Sequence, residues 1–454
     1  MPYSCSHGGL NTALRYNDYM ASLRTIVKKF IPKKIFKKIE PYGHLVESVI
    51  MNIRYGFPGR KLRIIGVTGT NGKTTTSFLI HRLLHESGIK VGLVTTVANG
   101  IGKDLVPKSE HITTAQSGVL QKKLREYVEA GVEWVVVETS SHSLAQHRVW
   151  GVPYEIAVMT NITHEHLDYH GTFENYVEAK RRLFKVANKH GLRFGVVNKQ
   201  DPSADKFVKT VKHAITYGIG TGDLMATNVT LSTDHSSFTA TIGSDSYDMH
   251  VNMPGKFNVS NSLAAIAVGR KLGLSKNEIE KGIAALEGVQ GRMNVINEGQ
   301  NFQVIVDFAS TPDAFDRFFE SVRPLTKGKL IAVFGSAGRR DEEKRGVQGR
   351  IAGQYADIVI VTEEDDRDID GNQIMQEIAA GVKSAGKKEG KDLFLILNRE
   401  EAIGFAMTKA SSKNDVVVLL GKGHELTIER ADGEYPWNEA DVARAALQVL
   451  NQSK

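Results

Sequence analysis

The sequence has a single cysteine, Cys5, and no run of eighteen consecutive apolar residues. One cysteine excludes an internal disulfide framework and a cysteine-based zinc site, and it fits a reducing cytoplasm. The missing apolar run excludes a membrane-spanning helix. The amino-terminal region also lacks the uninterrupted apolar core and the small-residue cleavage site of a secretory signal. We therefore expect a cytoplasmic protein.

Internal repeats and low-complexity tracts are absent too, and the composition is that of a globular protein, with 41% apolar and 24% charged residues. At 454 residues the chain is too long for one hydrophobic core. Two or three domains are therefore expected.

Positive charge is concentrated near the amino terminus, where residues 23–39 contain no acid. The basic residues of this segment are Arg24, Lys28, Lys29, Lys33, Lys34, Lys37 and Lys38. Apolar residues lie between them, so the segment can rest on an anionic membrane as a peripheral contact. It can also be a helix that docks on the body and leaves its lysines in water. Nucleic-acid binding is not expected, because the run has no Tyr or Trp for base stacking.

The most informative motif is the run GVTGTNGKTT at residues 66–75, between an apolar strand and a helix-forming stretch. A glycine-rich turn in this place directs backbone N–H groups at phosphate oxygens. Lys73 would reach the β- and γ-phosphates, and Thr74 or Thr75 would hold Mg²⁺. The spacing misses the common P-loop by one residue, because Val67 stands where a glycine is required. The combination still predicts an enzyme that uses a nucleoside triphosphate.

The chain divides into a short, helical, basic segment (1–58), a central ATP-binding domain (59–297) and a C-terminal domain (298–454). Strands are predicted in the central domain at 63–67, 91–95, 134–138, 156–160 and 194–198, and in the C-terminal domain at 303–307, 330–335, 358–362, 393–397 and 416–420. Alternation with helices predicts an α/β fold: a P-loop-type, mostly parallel central sheet and a Rossmann-like C-terminal sheet. Residues 225–251 alternate polar and apolar side chains, which favours an antiparallel ribbon.

Two polar clusters follow strands of the predicted central sheet, at the edge where ligands bind. Glu138 ends one strand and is placed to face Mg²⁺ near the glycine-rich loop. After the next strand, residues 161–171 carry three histidines and two acids close together. They could bind a metal of their own, but a single imidazole that assists at Mg²⁺ suits the loop better.

These motifs resemble those of the Mur ligase family. The matching runs are TGTNGKTT (68–75), ETSSH (138–142), HLDYHG (166–171), YVEAK (176–180), GKFNVSN (255–261), GRM (291–293), VDFASTPDA (306–314) and GKGHE (421–425). With QHR (146–148), they point to the members that add a diamino acid, meso-diaminopimelate or L-lysine, to UDP-N-acetylmuramoyl-L-alanyl-D-glutamate. That reaction belongs to peptidoglycan precursor synthesis, and hence to cell-wall biogenesis, cell shape and division.

The resemblance implies an ATP- and Mg²⁺-dependent ligase that works through an acyl-phosphate. The implied catalytic residues are Lys73, Glu138, His166 and Lys180, the last as N6-carboxylysine formed with CO₂. The implied metal ligands are Thr74, Glu138, His166 and Lys180. The implied nucleotide contacts are Gly69, Thr70, Asn71, Gly72, Lys73, Thr74, Thr75, Asn258, Asn261 and Arg292.

The resemblance also implies two substrate sites and a monomer. The implied contacts to the UDP-muramoyl peptide are Thr113, Thr114, Ser140, Gln146 and Arg148, and those to the diamino acid are Arg345, Arg367, Gly421 and Glu425. Residues 364–367 read EDDR where users of meso-diaminopimelate have Asp-Asn-Pro-Arg, and Ser310 replaces a family histidine. The part before the first strand is shorter than in these relatives. An alternative is thus a family member with another acceptor: a lipid-linked muropeptide, or a folylpolyglutamate-type or poly-amino-acid ligase.

Overall fold

The computed structural model describes residues 33–108, 113–163, 165–232, 234–339 and 341–452, with the backbone alone for 33–38 and Asp168. Residues 23–32 of the basic segment lie outside this part of the chain. The described chain forms a central domain and a C-terminal domain, each built around its own sheet. No helix in the described residues is long and apolar enough to cross a bilayer.

The central sheet has eleven strands in the order β11-β10-β9-β8-β7-β6-β1-β5-β2-β3-β4. Its strands are β1 Arg63–Thr68, β2 Val91–Val94, β3 Ala98–Ile101, β4 Asp104–Pro107, β5 Trp134–Glu138, β6 Tyr154–Met159, β7 Phe194–Asn198, β8 His213–Ile219, β9 Leu224–Leu231, β10 Ser236–Ile242 and β11 Asp245–Val251. The strands from β2 to β9 in this order are parallel. β9, β10 and β11 form the predicted antiparallel ribbon.

Helices cover both faces of the central sheet. They are α1 Lys33–Arg54, α2 Lys73–Glu86, α3 Ser117–Glu129, α4 Ser141–Ala145, α5 Leu167–His170, α6 Phe173–Ala187, α7 Ala204–Val208, α8 Lys256–Lys271 and α9 Lys276–Ala284. One face buries Leu79, Leu83 and Ile266 against the sheet, and the other buries Leu124 and Leu183. This double cover explains why strands such as β5 and β7 are continuously apolar.

The C-terminal sheet has six strands in the order β12-β13-β17-β14-β15-β16. Its elements are β12 Asn294–Ile296, β13 Gln303–Asp307, α10 Pro312–Val322, β14 Leu330–Phe334, α11 Glu343–Tyr355, β15 Ile358–Val361, α12 Gly371–Ser384, β16 Leu393–Leu395, α13 Arg399–Lys409, β17 Val416–Leu420, a hairpin of β18 Thr427–Arg430 and β19 Gly433–Pro436, and α14 Glu439–Gln452. All neighbours are parallel except β12. The predicted domain boundary at residue 298 assigns β12 to the central domain. In the structure β12 pairs with β13 and belongs to the C-terminal sheet.

Several predicted bounds differ from the structure by one or two residues. β6 begins at Tyr154, before the predicted 156, because Tyr154 already pairs with Ile64 across a local shift in register. β2 ends at Val94, since Thr95 turns the chain by bonding to Ala98. β16 stops at Leu395, where the prediction continued to 397.

Helix α1 docks one face on the central domain. The Ser48 hydroxyl lies 2.5 Å from the Ser117 hydroxyl and donates to the carbonyl of His147 at 2.8 Å. Asn52 donates to the carbonyl of Trp150 at 2.9 Å. These buried bonds fix the second half of the helix against α3 and the loop after α4.

Candidate active site

The glycine-rich loop lies between β1 and α2, and its backbone is held from both sides. Gly72 has φ 81° and no room for a side chain, because a Cβ would collide with the Asn261 side chain. Asn161 clamps the loop by accepting from the amide of Asn71 at 3.0 Å and donating to its carbonyl at 3.0 Å. The Lys73 ammonium bends back over the loop and donates to the carbonyls of Gly69 and Thr70, at 3.1 and 2.7 Å. α2 begins at Lys73, so its free N–H groups face the same space.

Glu138 ends β5 beside the first turn of α2, as predicted from its place at the edge of the sheet. Its carboxylate is 1% exposed and accepts from the Thr74 hydroxyl at 3.0 and 3.1 Å and from the Thr96 amide at 2.9 Å. Both donors are neutral, so the buried negative charge fits a cation. A carboxylate and a hydroxyl beside a phosphate loop form the oxygen-rich donor set that suits Mg²⁺.

Lys180 projects from α6 into the floor of the same site. Its ammonium donates to the carbonyl of Gly69 at 2.5 Å and lies 4.5 Å from the centre of the Tyr176 ring. Burial, reinforced by the positive charge of Lys73, lowers the pKa of Lys180 well below its usual range. A lysine that is readily neutral can attack CO₂ as a free amine, which is the chemistry that carbamylation needs.

The histidines after β6 pack against aromatic rings and against each other. His166 adopts a left-handed backbone with φ 57°, its ring centre lies 4.6 Å from that of His142, and its Nε2 is 3.7 Å from a Glu165 oxygen. His170 contacts the Ser141 hydroxyl at 3.1 Å. No group of three or more His, Cys, Asp or Glu in the described residues, which omit His164, is arranged to hold a metal.

Four of the five residues predicted to hold the muramoyl peptide line one surface. Thr113, Ser140, Gln146 and Arg148 face a common cavity. Thr114 lies beneath them, fully buried, where its hydroxyl links the Glu138 carbonyl, the Ser140 hydroxyl and the Ser140 amide within 3.2 Å. These bonds hold Ser140 in place, and a direct contact of Thr114 with a ligand stays a prediction.

Arg148 is buried behind this surface and is anchored at two points. It donates from Nε to Gln146 at 2.9 Å and from its terminal nitrogen to the Thr114 carbonyl. The guanidinium is thereby oriented toward the cavity that Gln146 and Arg148 both line. A fixed guanidinium in a concave pocket suits a carboxylate or phosphate.

The start of α8 and the strand β13 close the opposite side of the site. Asn261 accepts from the Thr76 hydroxyl at 3.2 Å and donates to Asn258 at 3.1 Å, which connects α8 to α2. Arg292 lies over the Phe308 ring at 4.7 Å. Burial lowers the pKa of Arg292 and raises that of the neighbouring Asp307 carboxyl, which nevertheless accepts backbone bonds from Met293 and Ala309.

The four residues predicted to read the diamino acid are not brought together. Glu425 lines the cavity beside Arg292 and accepts from Lys422 at 2.7 Å. Gly421, with φ 105°, lies below it against the Glu364 side chain. Arg367 bonds to Glu429 at 2.7 Å and to the carbonyl of Gly338 at 2.6 Å.

Arg345 is fully buried between α11 and α12 and pairs with Glu377 at 2.6 Å. It lines neither of the two cavities described below. Its neighbour Lys344 instead reaches toward the cleft, where it donates to the Ser310 carbonyl at 3.0 Å. A direct contact of Arg345 with the amino acid is therefore not supported by its position.

Two cavities meet at this site. The small cavity, about 360 Å³, is lined by Glu40, His44, Gly69, Lys73, Thr113, Gln116, Ser140, Ser141, His142, Gln146, Arg148, Glu165, His166, Tyr176 and Lys180. The large cavity, about 490 Å³, lies between the two domains and is lined by residues 70–75, by Glu138, and by Phe257, Asn258, Asn261, Arg292, Asp307, Phe308, His424 and Glu425 among others. Asp313 accepts a hydrogen bond from the side chain of Asn71 at 3.2 Å.

The residues shared by the two cavities are Lys73, Thr113, Glu165 and His166. Two ligands, one in each cavity, would therefore meet beside the Lys73 ammonium. Motif spacing did not reveal the contributions of Glu40 and His44, because they come from a helix with no motif. Phe308 also lines the large cavity. It lies just after β13, inside a motif recognised in the sequence, and that position could have marked it as a site residue.

Comparison with known proteins assigns the family. Residues 67–269 match the Mur ligase middle domain, and residues 291–423 match the description "Mur ligase, glutamate ligase domain". The chain is 42% identical over 413 residues to a UDP-N-acetylmuramyl-tripeptide synthetase of Roseiflexus sp. (strain RS-1), covering 87% of this chain and 80% of that one.

Two further relatives carry a more specific name. A UDP-N-acetylmuramoyl-L-alanyl-D-glutamate–2,6-diaminopimelate ligase 1 of Clostridium acetobutylicum is 36% identical over 94% of this chain and 86% of its own. A solved structure of a UDP-N-acetylmuramoyl-L-alanyl-D-glutamate–2,6-diaminopimelate ligase superposes with a TM-score of 0.63 at 33% identity, covering 86% of this chain and 79% of that one. Matching domains, long alignments and a shared fold lead to one conclusion: this chain belongs to the Mur ligase family.

Proposed function

We propose that this protein is the ligase that joins a diamino acid to UDP-N-acetylmuramoyl-L-alanyl-D-glutamate, with ATP converted to ADP and phosphate. The observation that carries the proposal is the meeting of the two cavities at Lys73, Thr113, Glu165 and His166. ATP would occupy the large cavity with its phosphates on residues 69–75. The acceptor would occupy the small cavity, with its carboxylate pointing to the junction.

The first step transfers the γ-phosphoryl group from ATP to the acceptor carboxylate, giving an acyl-phosphate and ADP. Phosphoryl transfer depends on positioning and charge neutralisation, and Lys73 stands where the transferred group would pass. The second step is attack of the amino group on the acyl carbon, loss of a proton from nitrogen, and departure of phosphate. The amide bond formed replaces the carbon–oxygen bond of the acyl-phosphate.

Mg²⁺ fits the buried carboxylate of Glu138 and the hydroxyl of Thr74, and when bound it would neutralise phosphate charge. We propose His166 and Lys180 as further members of this shell, Lys180 as its carbamate. In that modification the ammonium first releases one proton, and the neutral amine then bonds to CO₂ and releases a second, so a cation becomes an anion. The position of Lys180 under Gly69 supports this role because an anion there would lie beside the phosphate loop.

The remaining site residues are proposed by their position. Asn258, Asn261 and Arg292 support the nucleotide side of the large cavity, and Thr113, Ser140, Gln146 and Arg148 support the acceptor. Glu425 lies where it could pair with the incoming ammonium. Arg367 and Gly421 would act on the amino acid only after a local rearrangement, since neither lines the cavity in this structure.

The identity of the diamino acid is proposed from the relatives and from the EDDR segment. The related enzymes include both a tripeptide synthetase and diaminopimelate ligases by name. The EDDR segment keeps Arg367, which could pair with the second carboxylate of meso-diaminopimelate, whereas Asp365 and Asp366 favour a cationic side chain. We propose meso-diaminopimelate as the first candidate for the diamino acid and L-lysine as the second.

We also propose that the enzyme acts as a cytoplasmic monomer with a peripheral membrane contact through residues 23–39.

ADP release in a panel of amino acids tests this function. Purified protein with ATP, Mg²⁺ and UDP-N-acetylmuramoyl-L-alanyl-D-glutamate should release ADP only when meso-diaminopimelate or L-lysine is added. Glutamate and alanine are the controls, because they lack the second amino group. Mass spectrometry should find the acceptor enlarged by one diamino acid residue. The proposal would be refuted if ADP release did not depend on the added amino acid, or if it required another acceptor such as a folate.

A further inference from the structure

Helix α1 exposes a continuous apolar stripe on the side that faces away from the central domain. The stripe consists of Ile39, Tyr42, Val46, Ile50 and Ile53, which are between 42 and 66% exposed. Their spacing of three and four residues places them on one face of the helix. The opposite face is the docked one, with His44, Ser48, Met51 and Asn52 buried.

A helix of a globular protein normally has one apolar face, and that face is buried. α1 buries a partly polar face through hydrogen bonds and leaves its apolar stripe in water. Exposed apolar stripes of this kind mark surfaces that bind a partner or a membrane. The stripe is therefore a candidate surface for binding a partner or a membrane.

The distribution of charged residues on and near α1 indicates what the stripe binds. The two acids of α1 lie away from the stripe: Glu47 is buried and pairs with His44, and Glu40 lines the small cavity. Basic residues lie at both ends of the helix: four lysines are in its first turns (residues 33–38), Arg54 is its exposed last residue, and exposed Arg60 and Lys61 follow it. An apolar stripe between two basic ends, without a carboxylate, is complementary to a bilayer that contains anionic lipid.

We propose that the outer face of α1, defined by Ile39, Tyr42, Val46, Ile50 and Ile53, docks on an anionic lipid bilayer with the helix parallel to the surface. α1 also supplies Glu40 and His44 to the small cavity. An α-helix is about 10 Å across, so a bilayer on the outer face would lie next to this cavity. Under the proposed function, the membrane would border the acceptor site.

Vesicle co-sedimentation of the full-length protein tests the docking. Wild-type protein should bind vesicles of equal parts phosphatidylcholine and phosphatidylglycerol about tenfold more tightly than vesicles of phosphatidylcholine, and added salt should weaken this binding. The double variant Val46→Gln/Ile53→Gln removes two stripe side chains without touching the buried face. It should lose about tenfold in binding. Its ligase activity toward a soluble acceptor and its melting temperature should remain those of wild type.

The matched control is Val106→Gln/Val449→Gln, which alters two valines that are each 68% exposed elsewhere on the molecule. This control should bind vesicles like wild type. Equal binding to both vesicle types, no binding at all, or unchanged binding of the stripe variant would overturn the proposal. The proposal would also be overturned if the protein did not bind vesicles but formed a dimer in light scattering, and if the stripe variant lost that dimer. The stripe would then join two copies of this chain.

Discussion

Replacing Lys73 with alanine is expected to lower kcat for amino-acid-dependent ADP release by about 10³-fold, the loss typical of removing a charge that stabilises a transferred phosphoryl group. Among the described residues, Lys73 is the only lysine that lines both cavities. Its bonds to Gly69 and Thr70 hold it over the loop, so its loss removes charge where the phosphoryl group passes. Steady-state assays with saturating ATP and acceptor measure the effect.

Lys90→Ala is the control for Lys73, because Lys90 is exposed beyond the far end of the same helix. It should retain wild-type kcat. The melting temperature of Lys73→Ala should stay near that of wild type, since Lys73 contributes little to the apolar core. Wild-type turnover in a folded Lys73→Ala protein would exclude the proposed phosphoryl transfer.

Lys180→Ala is expected to lower kcat by about 10²-fold or more, because it removes both the ammonium under Gly69 and the carbamate proposed to form on it. Removal of CO₂ from the buffer should likewise inactivate wild-type protein, and bicarbonate should restore it. A short carboxylate such as acetate should recover part of the activity of Lys180→Ala by filling the space of the lost anion. The rates under these conditions separate an anionic role from a structural one.

Lys185→Ala is the matched control for Lys180, since Lys185 lies on the exposed side of the same helix and pairs with Glu178. It should respond to CO₂ removal as wild type does. If wild-type activity were indifferent to CO₂ while Lys180→Ala stayed inactive and resisted rescue, Lys180 would be an ordinary lysine that holds Gly69.

The sequence predicted the α/β fold and most of the phosphate loop because strong local signals coincide there. Lys73 follows a strand, a three-residue turn (residues 69–71) and Gly72, whose φ of 81° and lack of room for a Cβ favour glycine. Glu138 was found for a similar reason, since the carboxyl ends of parallel strands share one edge of the sheet. The bounds of β2, β6 and β16 were less accurate, because strand ends depend on register with neighbours that lie far away in sequence.

The diamino acid site expected from motif positions stays a prediction, because its four residues do not lie together in this structure. Arg345 and Arg367 fit a family pattern, yet long-range packing gives them Glu377 and Glu429 as partners. Glu40 and His44 were missed for the opposite reason: they lie in no motif and reach the small cavity only because α1 docks through Ser48 and Asn52. Both outcomes depend on tertiary contacts that a linear pattern does not encode.

Transfer of a labelled oxygen tests the two-step chemistry most directly. The acceptor is prepared with ¹⁸O in its carboxyl groups and incubated with ATP, Mg²⁺ and the active diamino acid, and the released phosphate is analysed by mass spectrometry. If an acyl-phosphate forms at the junction of the two cavities, each turnover must move one labelled oxygen from the acceptor to phosphate. Unlabelled phosphate, with the full label kept in the acceptor and its product, would contradict the account.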